Sequence, residues 1–140
     1  MKLHALIVDT NVVIAGLLSS RKDSPVSLIL DAMLDGRLLF LLSPSLLTEY
    51  HQVLLRPKLV KLHRLSDNDI DELLTTLVAN AVWREPAPSH TAPDPGDNHL
   101  WALLTSQPRG SLVTGDKLLL DNPPKHHSVI SPKDCAEHFL

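Results

Sequence analysis

Four acidic side chains, Asp9, Glu49, Asp97 and Asp116, could meet in one crevice, and the first of them stands where a carboxylate is costly unless something uses its charge. Asp9 ends a short apolar run, Ala5 to Val8, and a second apolar run from Val12 to Leu18 follows at once. The first run is too short for a helix and apolar throughout, which predicts a parallel strand covered on both faces. Asp9 then sits at the carboxyl end of that strand, where open α/β sheets bind their ligands. Asp116 follows another predicted strand, Ser111 to Thr114, beyond Gly115. Glu49 and Asp97 are placed by helical geometry. Between Pro44 and Leu55 the apolar residues Leu46, Leu47, Tyr50, Val53 and Leu54 form a stripe. At about 100° per residue, Glu49 falls on the flank of that stripe beside Val53. Asp97 precedes Leu100 by three residues and Trp101 by four, so it projects from the inward face of its own helix. A position in the first turn also stabilises its negative charge.

Carboxylates gathered in one crevice repel, and without a cation some of them hold protons. Hard oxygen donors suit Mg²⁺ or Mn²⁺, and one or two such ions, held by side chains and waters, would relieve the repulsion. Each acid also has an ordinary reading. Asp97 and Asp9 can be helix caps, Glu49 a solvated charge, and Thr114-Gly115-Asp116 a turn at a strand end. What favours a common site is their shared direction toward one crevice. No serine or cysteine stands in a nucleophile motif, and no glycine-rich dinucleotide fingerprint follows the first strand.

The intervening sequence supplies the elements that would bring the acids together. Ser24-Pro25 starts a helix with Val26, Ile29, Leu30 and Met33 inward and Gly36 as its stop. Leu38 to Leu42 is a second buried strand. Ser43-Pro44 starts a helix to about Leu55, which Arg56-Pro57-Lys58 breaks. Leu59 to Leu65 makes a short basic turn of helix. Ser66 and Asp69 resemble a capping box, with Asp in place of Glu, opening a helix to about Ala79. Ala81 to Trp83 is a third strand. Glu85 to Gly96 holds four of the eleven prolines and reads as a loop. Asp97 to Ser106 is a helix, Ser111 to Thr114 a fourth strand, Lys117 to Leu120 a helical turn, and Ser128 to Ile130 a fifth strand. Ser131-Pro132 starts a terminal helix. Trp83 and Trp101 are expected to be packing residues.

This alternation predicts a three-layer α/β/α sandwich with a central, mostly parallel sheet of about five strands. The first and fourth strands would flank the switch point, with Asp9 and Asp116 just past their ends. The length suits one domain over residues 1–140, and the composition, 44% hydrophobic and 21% charged, is that of an ordinary globular protein. A net charge of −3 means that nucleic-acid binding must rely on a local basic patch or on bound cations. The one cysteine, Cys135, excludes an internal disulfide and suits a reducing compartment. Lys2 before apolar residues looks like the start of a secretory signal, but Asp9 and Asn11 interrupt the stretch. No apolar run approaches the roughly 18 residues of a membrane span, so a cytoplasmic location is expected.

Four motifs occur in an order seen in PIN-domain proteins: Val8-Asp9-Thr10-Asn11-Val12, Ser43-Pro44-Ser45-Leu46-Leu47-Thr48-Glu49, Asp94-Pro95-Gly96-Asp97-Asn98 and Val113-Thr114-Gly115-Asp116-Lys117. Leu54-Leu55-Arg56-Pro57-Lys58-Leu59 adds to the likeness, and the resemblance spans nearly the whole chain. It is most like the small bacterial and archaeal PIN proteins classed as toxins of toxin–antitoxin pairs. The resemblance implies an α/β/α fold and a metal-dependent ribonuclease using Mg²⁺ or Mn²⁺. It carries the acidic roles onto Asp9, Glu49, Asp97 and Asp116, with Asn11 and Thr114 as polar support. It further implies RNA as substrate, a homodimer and an inhibitory antitoxin protein. Asn98 and His99 depart from it, standing where many relatives have further charged residues.

For RNA grip, Arg56, Lys58, Lys61 and Arg64 form the densest basic group. Two rival functions follow from the same residues. Asp9-Thr10-Asn11 after a strand resembles the nucleophile loop of haloacid dehalogenase-like phosphatases, but Asn11 occupies the place of that family's second Asp. A non-catalytic binding module would keep the acids for structure or docking. His126, His127, Cys135 and His138 match no closed zinc site.

Overall fold

The computed structural model describes residues 4–140; Lys2 and Leu3, which bear on the reading of the amino terminus, lie outside the described residues. Ala5–Val8 forms strand β1 with every residue buried. Asp9 accepts the Thr10 N–H and opens helix α1 (Thr10–Leu18), so this helix begins two residues before the apolar run that predicts it. Helix α2 (Pro25–Leu34) starts where Ser24 accepts the Ser27 N–H, with Pro25 in the first turn, where its missing N–H costs nothing. Gly36, at φ +79°, takes the left-handed geometry that ends the helix.

The α1–α2 contact depends on a glycine. A Cβ at Gly16 would lie 2.6 Å from the Val26 carbonyl oxygen and 3.0 Å from Leu30 Cβ. Gly16→Ala should therefore overpack the pair by about 1–3 kcal/mol, of which the better helix propensity of alanine returns up to about 1. A fall of several degrees in Tm is expected by circular dichroism, and an unchanged Tm would contradict the close approach.

The run expected as a strand over Leu38 to Leu42 pairs only from Phe40 onward, and β2 is Leu41–Leu42. The Arg37 and Leu38 N–H groups both turn back to the Ala32 carbonyl, which commits Leu38 to the end of α2. Helix α3 (Pro44–Leu54) is capped by Ser43, which accepts the Leu46 N–H. Pro57 ends α3 and also begins α4 (Pro57–His63), two residues ahead of the expected Leu59. Both halves of the Ser66–Asp69 capping box form at the start of α5 (Asp67–Asn80). The short strand β3 is Val82–Trp83. Beyond the proline-rich loop, a 3₁₀ turn over Pro95–Asp97 leads into α6 (Asn98–Thr105). Strand β4 (Gly110–Val113), helix α7 (Lys117–Leu120), strand β5 (Ser128–Ile130) and helix α8 (Pro132–Phe139) complete the order.

β1 pairs in parallel with β4, and β4 with β5. On its other edge β1 reaches the second pair, β2 with β3, through the parallel bridge Leu6–Phe40. The strand order is thus β3-β2-β1-β4-β5, parallel at every described pairing. Helices surround this sheet: α6 packs on β1 and β4, α2 on α1, α5 and α8, and α3 on α1, α5 and α6. The α/β architecture is the expected one. Trp101 is buried, but Trp83 is 41% exposed and so corrects the expectation of a packing residue. It lies on the outermost strand, its indole N–H donating to Glu85 at 3.1 Å. Among the described residues no helix is long and apolar enough to cross a membrane.

Candidate active site

Register brings the first acids together. Val8 pairs with Val113, so both chains leave the sheet at the same level, and the Asp9 N–H donates to the Val113 carbonyl. Asp9 is buried, and both of its oxygens accept hydrogen bonds. Oδ1 accepts the Thr10 N–H at 2.8 Å; Oδ2 accepts the Thr114 hydroxyl at 2.8 Å and the Asn11 amide at 3.0 Å. Asn11 Oδ1 accepts the Gly115 N–H, and Thr114 Oγ1 accepts the Asp116 N–H, each at 3.0 Å. Asp116 caps α7 by accepting the Leu118 N–H. The switch point is one hydrogen-bonded unit in which Asn11 and Thr114 hold the Asp9 carboxylate in a single orientation.

Glu49 is brought in from the side by α3. Next to it, the buried Tyr50 donates its hydroxyl to the Val8 carbonyl, fastening α3 to the end of β1. Glu49 Oε2 accepts a hydrogen bond from the Thr10 hydroxyl. His99 Nε2 stands 3.7 Å from Glu49 Oε1, an ion-pair distance longer than a hydrogen bond. His99 has the largest influence on Glu49, holding its carboxyl below the usual range against the opposing effect of burial, with help from Thr10 and Arg56. His99 Nδ1 is sequestered with no hydrogen-bond partner.

Asp97 ends the 3₁₀ turn and is the N-cap residue of α6, without a side-chain cap bond. The sequence reading starts the helix at Asp97 itself; the 3₁₀ turn shifts that start by one residue. Burial, Asp9, Asp94, Asp116 and Glu49 together push its carboxyl up to about 6. Asp9 is also raised, chiefly by burial, which its bonds from Thr114 and Thr10 oppose and which Glu49 and Asp116 reinforce. Asp97 therefore feels the other three acids, and Asp9 feels Glu49 and Asp116, across four separate segments. Asp94 lies at the rim, exposed, with Oδ1 accepting the Gly96 N–H at 2.9 Å.

Among the described residues, no three acidic, histidine or cysteine side chains form a preassembled metal cage. Mutual repulsion keeps uncompensated carboxylates apart, and Mg²⁺ sites complete their shells largely with water. The donors offered are carboxylate oxygens, the type that hard divalent cations take. Arg56, Lys58, Lys61 and Arg64 are all exposed on or beside α4. Of these, Arg56 is near enough to Glu49 to favour its ionised form.

Two members of the site escape the sequence reading. Thr10 is missed because that reading opens the helix at Val12 and leaves Thr10 outside it. His99 stands out there only as a departure from the family pattern; a usable signal was its place four residues before the buried Leu103, beside the apolar face.

The crevice makes stability pH-dependent. Raised carboxyl pKa values in the folded state mean that folding binds protons, so the contribution of Asp97 is lost as pH rises from the ordinary 3.8 toward about 6, and that of Asp9 is lost as pH climbs above its own ordinary value. In chelator-treated protein, Asp97→Asn should gain Tm relative to wild type as pH rises through that window. A difference that does not vary with pH would contradict the coupling.

A family model described as PIN domain matches residues 5–118. The match spans β1 to the start of α7 and includes all four acids. No curated protein matches the chain.

Proposed function

Because the chain belongs to the PIN-domain family, a family of nucleases, we propose that it is a metal-dependent ribonuclease whose Mg²⁺ or Mn²⁺ is held by Asp9, Glu49, Asp97 and Asp116. One observation carries this reading: the parallel register sets Asp9 and Asp116 just past adjacent strand ends, joined through Thr114, the Thr10 hydroxyl ties Glu49 to the same point, and no lysine or arginine is bonded to any of the four acids among the described residues. Bound there, the ion supplies Lewis acidity for the phosphate and for the attacking water.

The chain's own residues do the positioning. Thr114, Asn11 and the Thr10 N–H fix both oxygens of Asp9. Thr10 and His99 keep Glu49 oriented and ionised. Arg56, with Lys58, Lys61 and Arg64 along α4, would hold RNA phosphates beside the crevice. The phosphatase reading finds no support, since Asn11 spends its amide on Asp9 and Thr114 and has no acidic proton to give.

The protein would act as one PIN domain over residues 1–140, with β5 paired to β4 and α8 packed on α2 beyond the matched region. It would be a cytoplasmic toxin of a toxin–antitoxin pair, a homodimer restrained by a small inhibitory protein. The test of substrate class offers single-stranded RNA and p-nitrophenyl phosphate in parallel, each with Mg²⁺ or Mn²⁺. Cleaved RNA with the phosphomonoester untouched is expected; the reverse would overturn the proposal.

A further inference from the structure

His99 serves two spaces. It stands beside Glu49, and it also lines a separate pocket of about 400 Å³ in which none of the four acids takes part. The pocket lies between the start of α3 at Pro44 and Ser45, the loop after β3, and Asn98, His99 and Ala102 of α6. Its volume is at the low end of small-ligand sites, roughly 300–1,000 Å³, and is too small for a duplex. No lysine or arginine lines it. It is therefore unsuited to a phosphate and suited to a neutral, flat group.

The walls offer both faces and edges to such a group. Pro86 and Pro88 give rigid apolar surfaces, and the restricted backbone of each keeps the loop close to one shape. Asn98 Oδ1 is taken by the Ala92 N–H at 3.1 Å, which leaves its amide hydrogens to donate. Glu85 is steadied by the Trp83 indole N–H on Oε1, which leaves Oε2 to accept. A carboxylate and an amide donor together match a base that carries adjacent N–H groups and a carbonyl on one edge, as guanine does.

We infer that this pocket takes one unpaired base of the RNA, guanine in preference to the others, next to the bond to be cut, with Glu85 reading its N–H edge. The inference rests on the ribonuclease reading for its substrate, and adjacency comes from His99 and from Asn98 following Asp97 in the chain.

The test begins without metal or cleavage. Guanosine, adenosine, cytidine and uridine are titrated into ¹⁵N-labelled protein in EDTA, with amide shifts as the readout. Guanosine should move the Ser45, Ser89 and Asn98 amides and bind about five-fold or more tighter than uridine. Glu85→Gln should erase that preference, and Ser45→Phe, at an exposed position on the pocket wall, should block all four nucleosides. Mapped cuts in a mixed-sequence RNA should then cluster beside guanine for wild type and spread for Glu85→Gln. If wild type cuts RNA while no nucleoside moves the pocket amides, the inference is overturned and the ribonuclease reading stands. If guanosine binds as described but RNA stays intact, the base site stands and the ribonuclease reading falls.

Discussion

Asp9→Asn should slow RNA cleavage by roughly 10²–10³-fold, equivalent to about 3–4 kcal/mol of lost transition-state stabilisation. The substitution keeps the shape of the side chain and removes its charge. Asp9 accepts from three donors, the Thr10 N–H, the Thr114 hydroxyl and the Asn11 amide. An asparagine keeps one acceptor oxygen, so on the Oδ2 side its own amide would meet the Asn11 amide, donor against donor. Against that loss, a buried carboxylate that its neighbours repel is removed, so Tm should stay within a few degrees of wild type. The loss should fall on kcat, measured as initial rates on a labelled RNA. Asp94→Asn is the control: Asp94 is exposed and, among the described residues, its side chain bonds only to the Gly96 N–H, so its effect should be under about ten-fold. Comparable losses in the two variants would refute the distinction between crevice and rim.

Removal of divalent cations should have the other large effect. EDTA should abolish cleavage, and Mg²⁺ or Mn²⁺ should restore it. The same ions should stabilise the fold, since anything that binds only the native state raises its stability. At about a hundred times the dissociation constant this amounts to about 2.7 kcal/mol, or several degrees of Tm for a chain of this size. The shift should grow as pH rises through about 6, where Asp97 gives up its proton and the repulsion to be relieved is greatest. Cleavage that persists in EDTA would contradict the proposed chemistry, whatever the Tm does.

The sheet could be read from sequence because its strands are short apolar runs that stop abruptly at a polar residue. Ala5–Val8 ending at Asp9 is the clearest case, and Ser43-Pro44 and Ser66–Asp69 mark helix starts through cap chemistry that depends only on local residue types. The common direction of the acids was legible for the same reason: strand ends and helix faces follow from periodicity. What the acids touch was not legible. The Thr10 bond to Glu49 joins residues 39 apart in sequence, and the His99 approach depends on how α3 and α6 pack. Trp83 looked like core by residue type, yet it sits on an outermost strand, and nothing local says which strand is outermost. The pocket beside His99 is walled by a proline-rich loop, and loops carry no periodicity from which a shape can be inferred.

The central claim is that Asp9, Glu49, Asp97 and Asp116 serve one cation site. Mn²⁺ binding by isothermal titration, on wild type and on the four single amide variants, tests it most directly. Each variant should weaken the same binding event by about ten-fold or more while Asp94→Asn leaves it in place. Wild-type Mn²⁺ affinity in Asp97→Asn or Glu49→Gln would show that the four do not share a site, and the account would fail.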